Sequence, residues 1–169
     1  IQNTGGASTC ALSISNNALQ GFNFVSSGSI SAILNATFLG GAINLNTNSE
    51  GTPTGGFASF SAAHSAAING VINAGGSASS ILTITGNDVR GITHSVPGSS
   101  NHTYISNTFA TLSQNISSNT FTNLSVNTTG NVTFISNAAN LTSTVTKSIN
   151  SNRIVTAFAK TGAAGTITL

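Results

Sequence analysis

One phrase recurs along this chain: an apolar residue, two residues, asparagine, one residue, an apolar residue, two residues and a further apolar residue. The copies are Ile14-Asn17-Leu19-Phe22, Ile84-Asn87-Val89-Ile92, Tyr104-Asn107-Phe109-Leu112, Ile116-Asn119-Phe121-Leu124 and, with a weaker last position, Ile149-Asn152-Ile154-Ala157. A phrase that returns in this way is typical of a solenoid, in which no turn buries its own apolar side and each must stack on the next. The repeat therefore constrains the architecture more than any other feature.

The spacing of the phrase divides the chain into a clear half and a degenerate half. Asn119 follows Asn87 after 32 residues and precedes Asn152 by 33. In the first half, one repeat unit lacks the recurring phrase. Its segment 46–56 contains Pro53 and a Gly-Gly pair, which are typical of a turn or loop. We predict one β-helix segment over 1–169, with degenerate repeats in 1–80 and clear repeats of about 32 residues in 81–169. We also expect it to be a piece of a longer chain.

The runs between loops have the chemistry of strands. Segments 81–84 and 132–135 alternate apolar and polar residues and are rich in Ile, Val, Phe and Thr. No window of helical length has apolar residues at helical spacing, so we expect no long helix. Leucine-rich repeats have a similar sequence pattern, and residues 82–92 match it, but the repeat length of those proteins is steady. The sequence therefore predicts an all-β, right-handed parallel β-helix with irregular loops. An immunoglobulin-like or pilin-like β-sandwich is the alternative.

Asparagine at the same place in each unit predicts a ladder. A tight corner often needs a positive φ, which asparagine tolerates, and stacked corners place one amide above another. The predicted ladder consists of Asn17, Asn87, Asn107, Asn119, Asn137 and Asn152. The apolar positions of the same phrases predict a core stack of Ile84, Val89, Phe109, Ile116, Phe121, Phe134, Ile149 and Ile154.

Charge is scarce throughout the chain. Only 4% of residues are Asp, Glu, Lys or Arg, against about 25% in a typical soluble domain. The four basic residues are not clustered, which argues against a nucleic-acid partner. No apolar run is long enough to span a bilayer, and aromatic girdles are missing because the chain has one Tyr and no Trp. We therefore expect no membrane insertion. Cys10 is the single cysteine, so no internal disulfide forms.

No group of residues indicates catalysis. Glu50 and Asp88 are the only acids, and we interpret Glu50 as an exposed loop acid and Asp88 as the local ion-pair partner of Arg90. The three histidines lack the local spacing of a zinc site, and we interpret them as solvated or stacking. No nucleophile motif is present. We predict that the chain is not an enzyme and has no catalytic, metal-binding or cofactor-binding residue, and therefore no cofactor.

The clearest repeats lie in four stretches of the second half: 115–124, 130–137, 148–158 and 160–169. These stretches resemble the β-helix repeats of large secreted surface proteins of Bacteroidota-type bacteria. Such proteins are commonly exported as adhesins, so the resemblance implies an extracellular or cell-surface location. It also implies a structural or adhesive function without catalysis.

Three functions stay open from the sequence. The first is a non-enzymatic structural or adhesive segment of a bacterial surface protein or filament, with surface glycans, a second copy or the continuing chain as partner. The second is a tailspike-like β-helix that binds or degrades carbohydrate, with its site on a strand face or in the loops around Glu50, Asp88 and Val96. The third is an ice-binding solenoid, for which only Thr83-Ile84-Thr85 and Thr166-Ile167-Thr168 have the required spacing.

Overall fold

The computed structural model describes residues 1–140, 146–156 and 158–169, and within them every regular element is a β-strand. The strands, in chain order, are β1 (Gln2–Asn3), β2 (Leu12–Ser15), β3 (Ala18–Leu19), β4 (Phe22–Phe24), β5 (Ile30–Asn35), β6 (Ala42–Asn46), β7 (Ser49–Glu50), β8 (Ala58–Phe60), β9 (Ile68–Asn73), β10 (Ile81–Thr85), β11 (Asp88–His94), β12 (His102–Asn107), β13 (Ser113–Ser117), β14 (Thr120–Val126), β15 (Val132–Asn137), β16 (Thr146–Asn150), β17 (Arg153–Ile154), β18 (Phe158–Lys160) and β19 (Ile167–Thr168). Ala157, the weak last position of the fifth phrase, lies outside the described residues.

The strands form three parallel sheets that run along the molecule. Sheet A has the order β1-β5-β9-β12-β15-β19, and sheet B has the order β2-β6-β10-β13-β16. Sheet C has the order β3-β7-β11-β14-β17, with β4, β8 and β18 paired beside this path. The chain passes from sheet A to B to C and back to A, which makes about five stacked coils. The predicted parallel β-helix is confirmed. The sandwich alternative is wrong, because a sandwich is built from antiparallel strands.

The coils differ in length although their strands stay in register. Asn107 and Asn137 are neighbours 30 residues apart, whereas Asn48 and Asn87 are neighbours 39 residues apart. The loops absorb this difference, so a strict sequence period is not needed for stacking. A repeat of about 32 residues therefore describes some steps, such as the 31 residues from Asn17 to Asn48 and the 32 from Asn87 to Asn119, and not the step from Asn48 to Asn87.

Sheet B shows why these residues form strands. Its strands β2, β6, β10 and β13 each place an aliphatic side chain in the interior between two polar side chains on the outer face, as in Ser13-Ile14-Ser15 and Asn44-Leu45-Asn46. Ile14 pairs with Leu45, and Ile84 pairs with Ile116, so the aliphatic side chains stack in one column. Burial of these columns supplies the main stabilisation, at about 25 cal/mol per Å² of apolar surface.

The predicted core stack is correct for its central members and wrong for three residues. Ile84, Val89, Ile116, Phe121 and Phe134 are buried. Ile149 and Ile154 occupy the same columns as Ile116 and Phe121 but are 46% and 40% exposed, because they belong to the last coil. Phe109 is only half-buried, because it lies in the loop after β12 and not on a strand.

Candidate functional site

A ladder of five asparagine side chains runs along the corner between sheets B and C. In each step Nδ2 donates to Oδ1 of the asparagine on the following coil, at 2.8–3.0 Å. The same Oδ1 also accepts the backbone N–H of the preceding asparagine, so it is doubly satisfied. The second hydrogen of Nδ2 is donated to a backbone carbonyl of the preceding coil. The members are Asn17, Asn48, Asn87, Asn119 and Asn152.

The positive φ expected at this corner falls on a different residue. Asn16, Thr47, Ser118 and Ser151 have φ of 53–60°, and Gly86 has φ of 66°. Each of them directly precedes a ladder asparagine, and none of the five ladder asparagines has a positive φ. Asparagine is therefore required at the ladder position for its amide and not for its backbone freedom.

A second ladder closes the end of sheet A. Its Nδ2-to-Oδ1 hydrogen bonds are 2.8–3.1 Å long, and its members are Asn3, Asn35, Asn73, Asn107 and Asn137. Asn73 and Asn107 also donate to the carbonyls of Gly75 and Phe109, which holds the turn after each strand. The prediction of one ladder is therefore wrong. Asn107 and Asn137 form this second ladder, whereas the other four predicted members belong to the first.

A chain of aromatic rings fills part of the interior. Successive ring centroids are 4.4–5.9 Å apart along Phe24, Phe60, His94, His102, Tyr104, Phe134 and Phe158. Two of the three histidines are thus members of the stack. The third, His64, packs edge-on against Phe60 at 4.8 Å. Aromatic contacts of this kind add about 0.5–1.5 kcal/mol each beyond the area that they bury.

The histidines are held neutral. All three are buried, and the ring nitrogens of His64 and His94 have no hydrogen-bond partner among the described residues. Burial, followed by the neighbouring histidines, lowers the pKa of His94 to about 4 and that of His102 to about 3. Burial also lowers the pKa of His64. Nε2 of His102 lies 3.2 Å from Oγ of Ser100, a hydroxyl that is itself fully buried.

Glu50 lies inside the solenoid, so its interpretation as an exposed loop acid is wrong. Its register partners are Leu19 and Val89, which places its side chain in an otherwise apolar column. The residue is 0% exposed, and neither carboxylate oxygen has a hydrogen-bond partner among the described residues. Burial, and then the negative charge of Asp88, raise the pKa of Glu50 to about 8.

Asp88 lies on the outer side of sheet C, and both oxygens of its carboxylate accept hydrogen bonds. Its Oδ2 accepts a hydrogen bond from Nε of Arg90 at 2.7 Å, the local ion pair that the sequence indicates. Its Oδ1 accepts the hydroxyls of Thr120 and Thr122 at 2.8 and 2.9 Å. One acid is therefore buried and the other is saturated by partners, and they do not meet in an open cleft as a catalytic pair would.

A groove lies on the surface of sheet C. Three glycines line it, Gly21, Gly56 and Gly91, together with residues that include Phe22, Ser59 and Thr93. A Cβ at Gly91 would lie 2.5 Å from Cα of Gly56, so the close approach of consecutive coils requires glycine here. The two Thr-x-Thr segments lie on different faces, since Thr83 and Thr85 belong to sheet B and Thr168 pairs with Thr133 in sheet A.

The two ends of the solenoid are open and apolar. A depression at the C-terminal end is lined by Phe121, Phe134, Ile154 and Leu169, together with Arg153. A depression at the N-terminal end is lined by other apolar residues, among them Ile1, Leu19, Phe22, Phe24 and Phe57. Both expose the interior columns that the coils between them bury.

Neither a metal cluster nor a spanning helix is found in the part of the chain that the structure describes. That part contains no group of three or more His, Cys, Asp or Glu residues able to hold a metal ion. None of its elements is a helix long and apolar enough to cross a membrane. Cys10 is a free and exposed thiol.

Fold and side chains together define a parallel β-helix with two internal asparagine ladders and an aromatic-histidine stack. Comparison of the chain with protein-family models, with curated proteins and with solved structures finds no match.

Proposed function

We propose that this chain is a non-enzymatic structural or adhesive segment of an extracellular bacterial surface protein. The continuity of the two ladders supports this best. Each ladder crosses every coil from first to last, so the coils are joined by buried hydrogen bonds as well as by backbone pairing. An uninterrupted spine of this kind gives a stiff rod, which suits a stalk that holds a binding partner away from a cell.

The character of the surface supports the same function. Only 4% of the residues are charged, and the outer face of sheet B carries serine, threonine and asparagine. A surface of neutral hydroxyl and amide groups packs densely beside others like it without charge repulsion. The resemblance of the second half to repeats of secreted Bacteroidota-type proteins supports the extracellular location.

A test of location and role uses the source organism. An antibody against the chain should label intact cells, and protease added outside should remove the label. Deleting the segment from its gene should reduce adhesion. Replacing it with an unrelated β-helix of the same number of coils should restore adhesion if the segment is a spacer, and should not if its own surface adheres. Labelling only after cell lysis would contradict the proposal.

A test of the non-enzymatic role uses the purified chain and a panel of bacterial and algal polysaccharides. We expect no release of reducing ends or unsaturated products. Turnover that is lost in both Glu50→Gln and Asp88→Asn, with the fold intact by circular dichroism, would overturn the proposal in favour of a carbohydrate-degrading β-helix.

Carbohydrate binding without turnover is a second candidate, and the groove on sheet C favours it. An aromatic ring next to hydroxyls, Phe22 beside Ser59 and Thr93, is a combination that suits the face and edge of a sugar. A glycan array tests this candidate. Binding that is lost in Thr93→Arg and kept in Ser13→Arg, on the outer face of sheet B, would support it.

A further inference from the structure

The solenoid has three corners, and asparagine ladders run along two of them. The first ladder lies between sheets B and C, and the second lies where sheet A leads into sheet B. At the third corner, between sheets C and A, Asn101 and Asn131 accept backbone N–H groups of the following coil. Among the described residues of this corner, no asparagine donates to the side chain of another. The third corner therefore lacks the continuous side-chain ladder of the other two.

The three histidines lie at this third corner. His94 ends β11 of sheet C, His102 begins β12 of sheet A, and His64 is in the connection 61–67 of the coil before. The ring centroids of His94 and His102 are 5.1 Å apart, and the ring of Phe60 lies 4.4 Å from that of His94 and 4.8 Å from that of His64. All three histidines are buried. One cluster therefore joins two consecutive coils at the corner that has no ladder.

The polar atoms of this cluster are mostly unpaired. Both ring nitrogens of His64 and of His94, and Nδ1 of His102, have no hydrogen-bond partner among the described residues. The hydroxyl of Tyr104, whose ring packs against His102, has none either. Buried polar groups without partners reduce stability. A phenylalanine ring would fill similar space without this cost, and what a histidine ring adds is a nitrogen that can bind a proton.

A proton on any of these rings would meet no compensating negative charge. The groups whose charge acts on the cluster are the other histidines and Lys160, which all oppose a further positive charge, and the neighbouring phenol of Tyr104 is neutral in acid. The two acidic side chains, Asp88 and Glu50, belong to the opposite end of sheet C, roughly 20 Å from His94 along the strand. The closed corner therefore excludes protons that an open and hydrated corner would bind.

We propose that the third corner is an acid-sensitive element, which opens locally when its histidines bind protons while the two asparagine ladders keep the coils stacked. Opening moves the connections 61–67 and 95–101 away from the cluster and exposes the rings of Phe60 and Tyr104 to water. Each histidine that binds a proton only in the open form favours opening by up to about tenfold for each pH unit below 6.5. The inference does not rest on the proposed function, because a stalk, an adhesive segment or a carbohydrate-binding module could each contain such a corner.

Tyr104 reports on this corner directly, because it is the only tyrosine and the chain has no tryptophan. Quenching of its fluorescence by acrylamide is measured from pH 7 to pH 3, with far-ultraviolet circular dichroism on the same samples. We expect the quenching constant to increase several-fold while the circular dichroism of the sheets is unchanged. A constant that stays the same would overturn the proposal. So would an increase that coincides with loss of the sheet signal, because the whole β-helix would then have unfolded.

Variants assign the response to the histidines. His94→Phe combined with His102→Phe keeps two rings in the stack and removes two sites for protons, so Tyr104 should stay protected to lower pH than in the wild type. Asp88→Asn is the matched control, since it removes an acidic side chain of sheet C outside the cluster, and its response should equal that of the wild type. A response that is kept in the histidine variant, or lost in Asp88→Asn, would contradict the proposal.

Hydrogen exchange of the wild type locates the opening without any variant. The backbone N–H groups of Ser99 and Ser100 donate to the carbonyl of His64 at the third corner, whereas those of Asn87 and Asn119 donate within the first ladder. Between pH 7 and pH 4, after correction for the intrinsic exchange rate, protection of the two serines should fall about tenfold more than that of the two asparagines. An equal fall at both places would show that the opening is not local and would overturn the proposal.

Discussion

Nδ2 of Asn87 donates a hydrogen bond of 3.0 Å to Oδ1 of Asn119, a residue 32 positions further along the chain. Oδ1 of Asn87 in turn accepts from the backbone N–H and from Nδ2 of Asn48, on the coil before. One side chain therefore links three coils. This relationship, repeated along both ladders, satisfies polar groups that a buried corner would otherwise leave unpaired.

Breaking the first ladder in its middle should be costly. Asn87→Ala removes four side-chain hydrogen bonds and deprives the backbone N–H and Nδ2 of Asn48, and the carbonyl of Leu45, of these partners in the interior. Oδ1 of Asn119 loses one donor and keeps the backbone N–H of residue 87. Each buried unsatisfied group costs about 1–3 kcal/mol, so we expect a loss of about 3 kcal/mol or more in the free energy of unfolding. Urea unfolding measures it.

Asn17→Ala is the matched control for that variant. Asn17 is half-buried at the start of the ladder, and only its donor side is engaged. We expect a loss of about 1 kcal/mol. Equal losses in the two variants would show that the ladder does not act through buried satisfaction of its members.

Truncating an apolar side chain should destabilise the protein more in a middle coil than in the last coil of the same column. Phe121 and Ile154 are register partners, but Phe121 is 2% exposed and packs against Tyr104 and Phe134. Phe121→Ala should cost about 3–5 kcal/mol because it leaves a cavity. Ile154→Ala should cost about 1 kcal/mol, measured under conditions where the protein is monomeric. Similar losses would contradict the assignment of Ile154 to an open end.

Glu50 should make stability fall as the pH rises. Its pKa in the folded protein, about 8, lies above the ordinary value of 4.5, so the folded state holds a proton that the unfolded state releases. The stabilisation is complete below pH 4.5 and is lost progressively up to about pH 8, at no more than about 1.4 kcal/mol per pH unit. Glu50→Gln should abolish this decline in urea unfolding between about pH 6.5 and 8, above the range in which the histidines act in the opposite direction. An unchanged decline would contradict the burial of Glu50.

The histidines should act in the opposite direction. The lowered pKa values of His94 and His102 mean that the unfolded chain binds protons that the folded chain does not, so stability is lost as the pH falls from 6.5 towards 4. His102→Phe, which keeps a ring in the stack, should shift the midpoint of acid unfolding to lower pH. A midpoint that stays in place would show that His102 is not desolvated.

Much of the fold was predictable because side chains that stack in one column recur at a regular spacing in the sequence. The phrases around Asn87, Asn119 and Asn152 sit on consecutive coils in sheets B and C, and their spacing is nearly constant. Strand chemistry and the absence of helical spacing then favoured a parallel β-helix. The spacing cannot distinguish the residues of a middle coil from those of an end coil, which is why Ile149 and Ile154 were placed in the core.

The second coil does not match the recurring sequence phrase, for a physical reason. Its phrase reads Leu45, Asn48, Glu50, with a carboxylate at the place where the other coils have an apolar side chain. A search for apolar residues rejects this copy, although the asparagine and the stacking are intact. A search on asparagine alone, with loops of variable length, would find Asn48 and also Asn35 and Asn73 of the second ladder.

The side chains of the ladder can be observed directly in solution. In ¹⁵N-labelled protein, nuclear Overhauser cross-peaks should connect the Nδ2 protons of Asn48 with those of Asn87, and those of Asn87 with those of Asn119. The same protons should exchange slowly with water. Side-chain amides that exchange as in a free asparagine, without contacts between residues some 30 positions apart, would contradict the stacked ladder and the β-helix built on it.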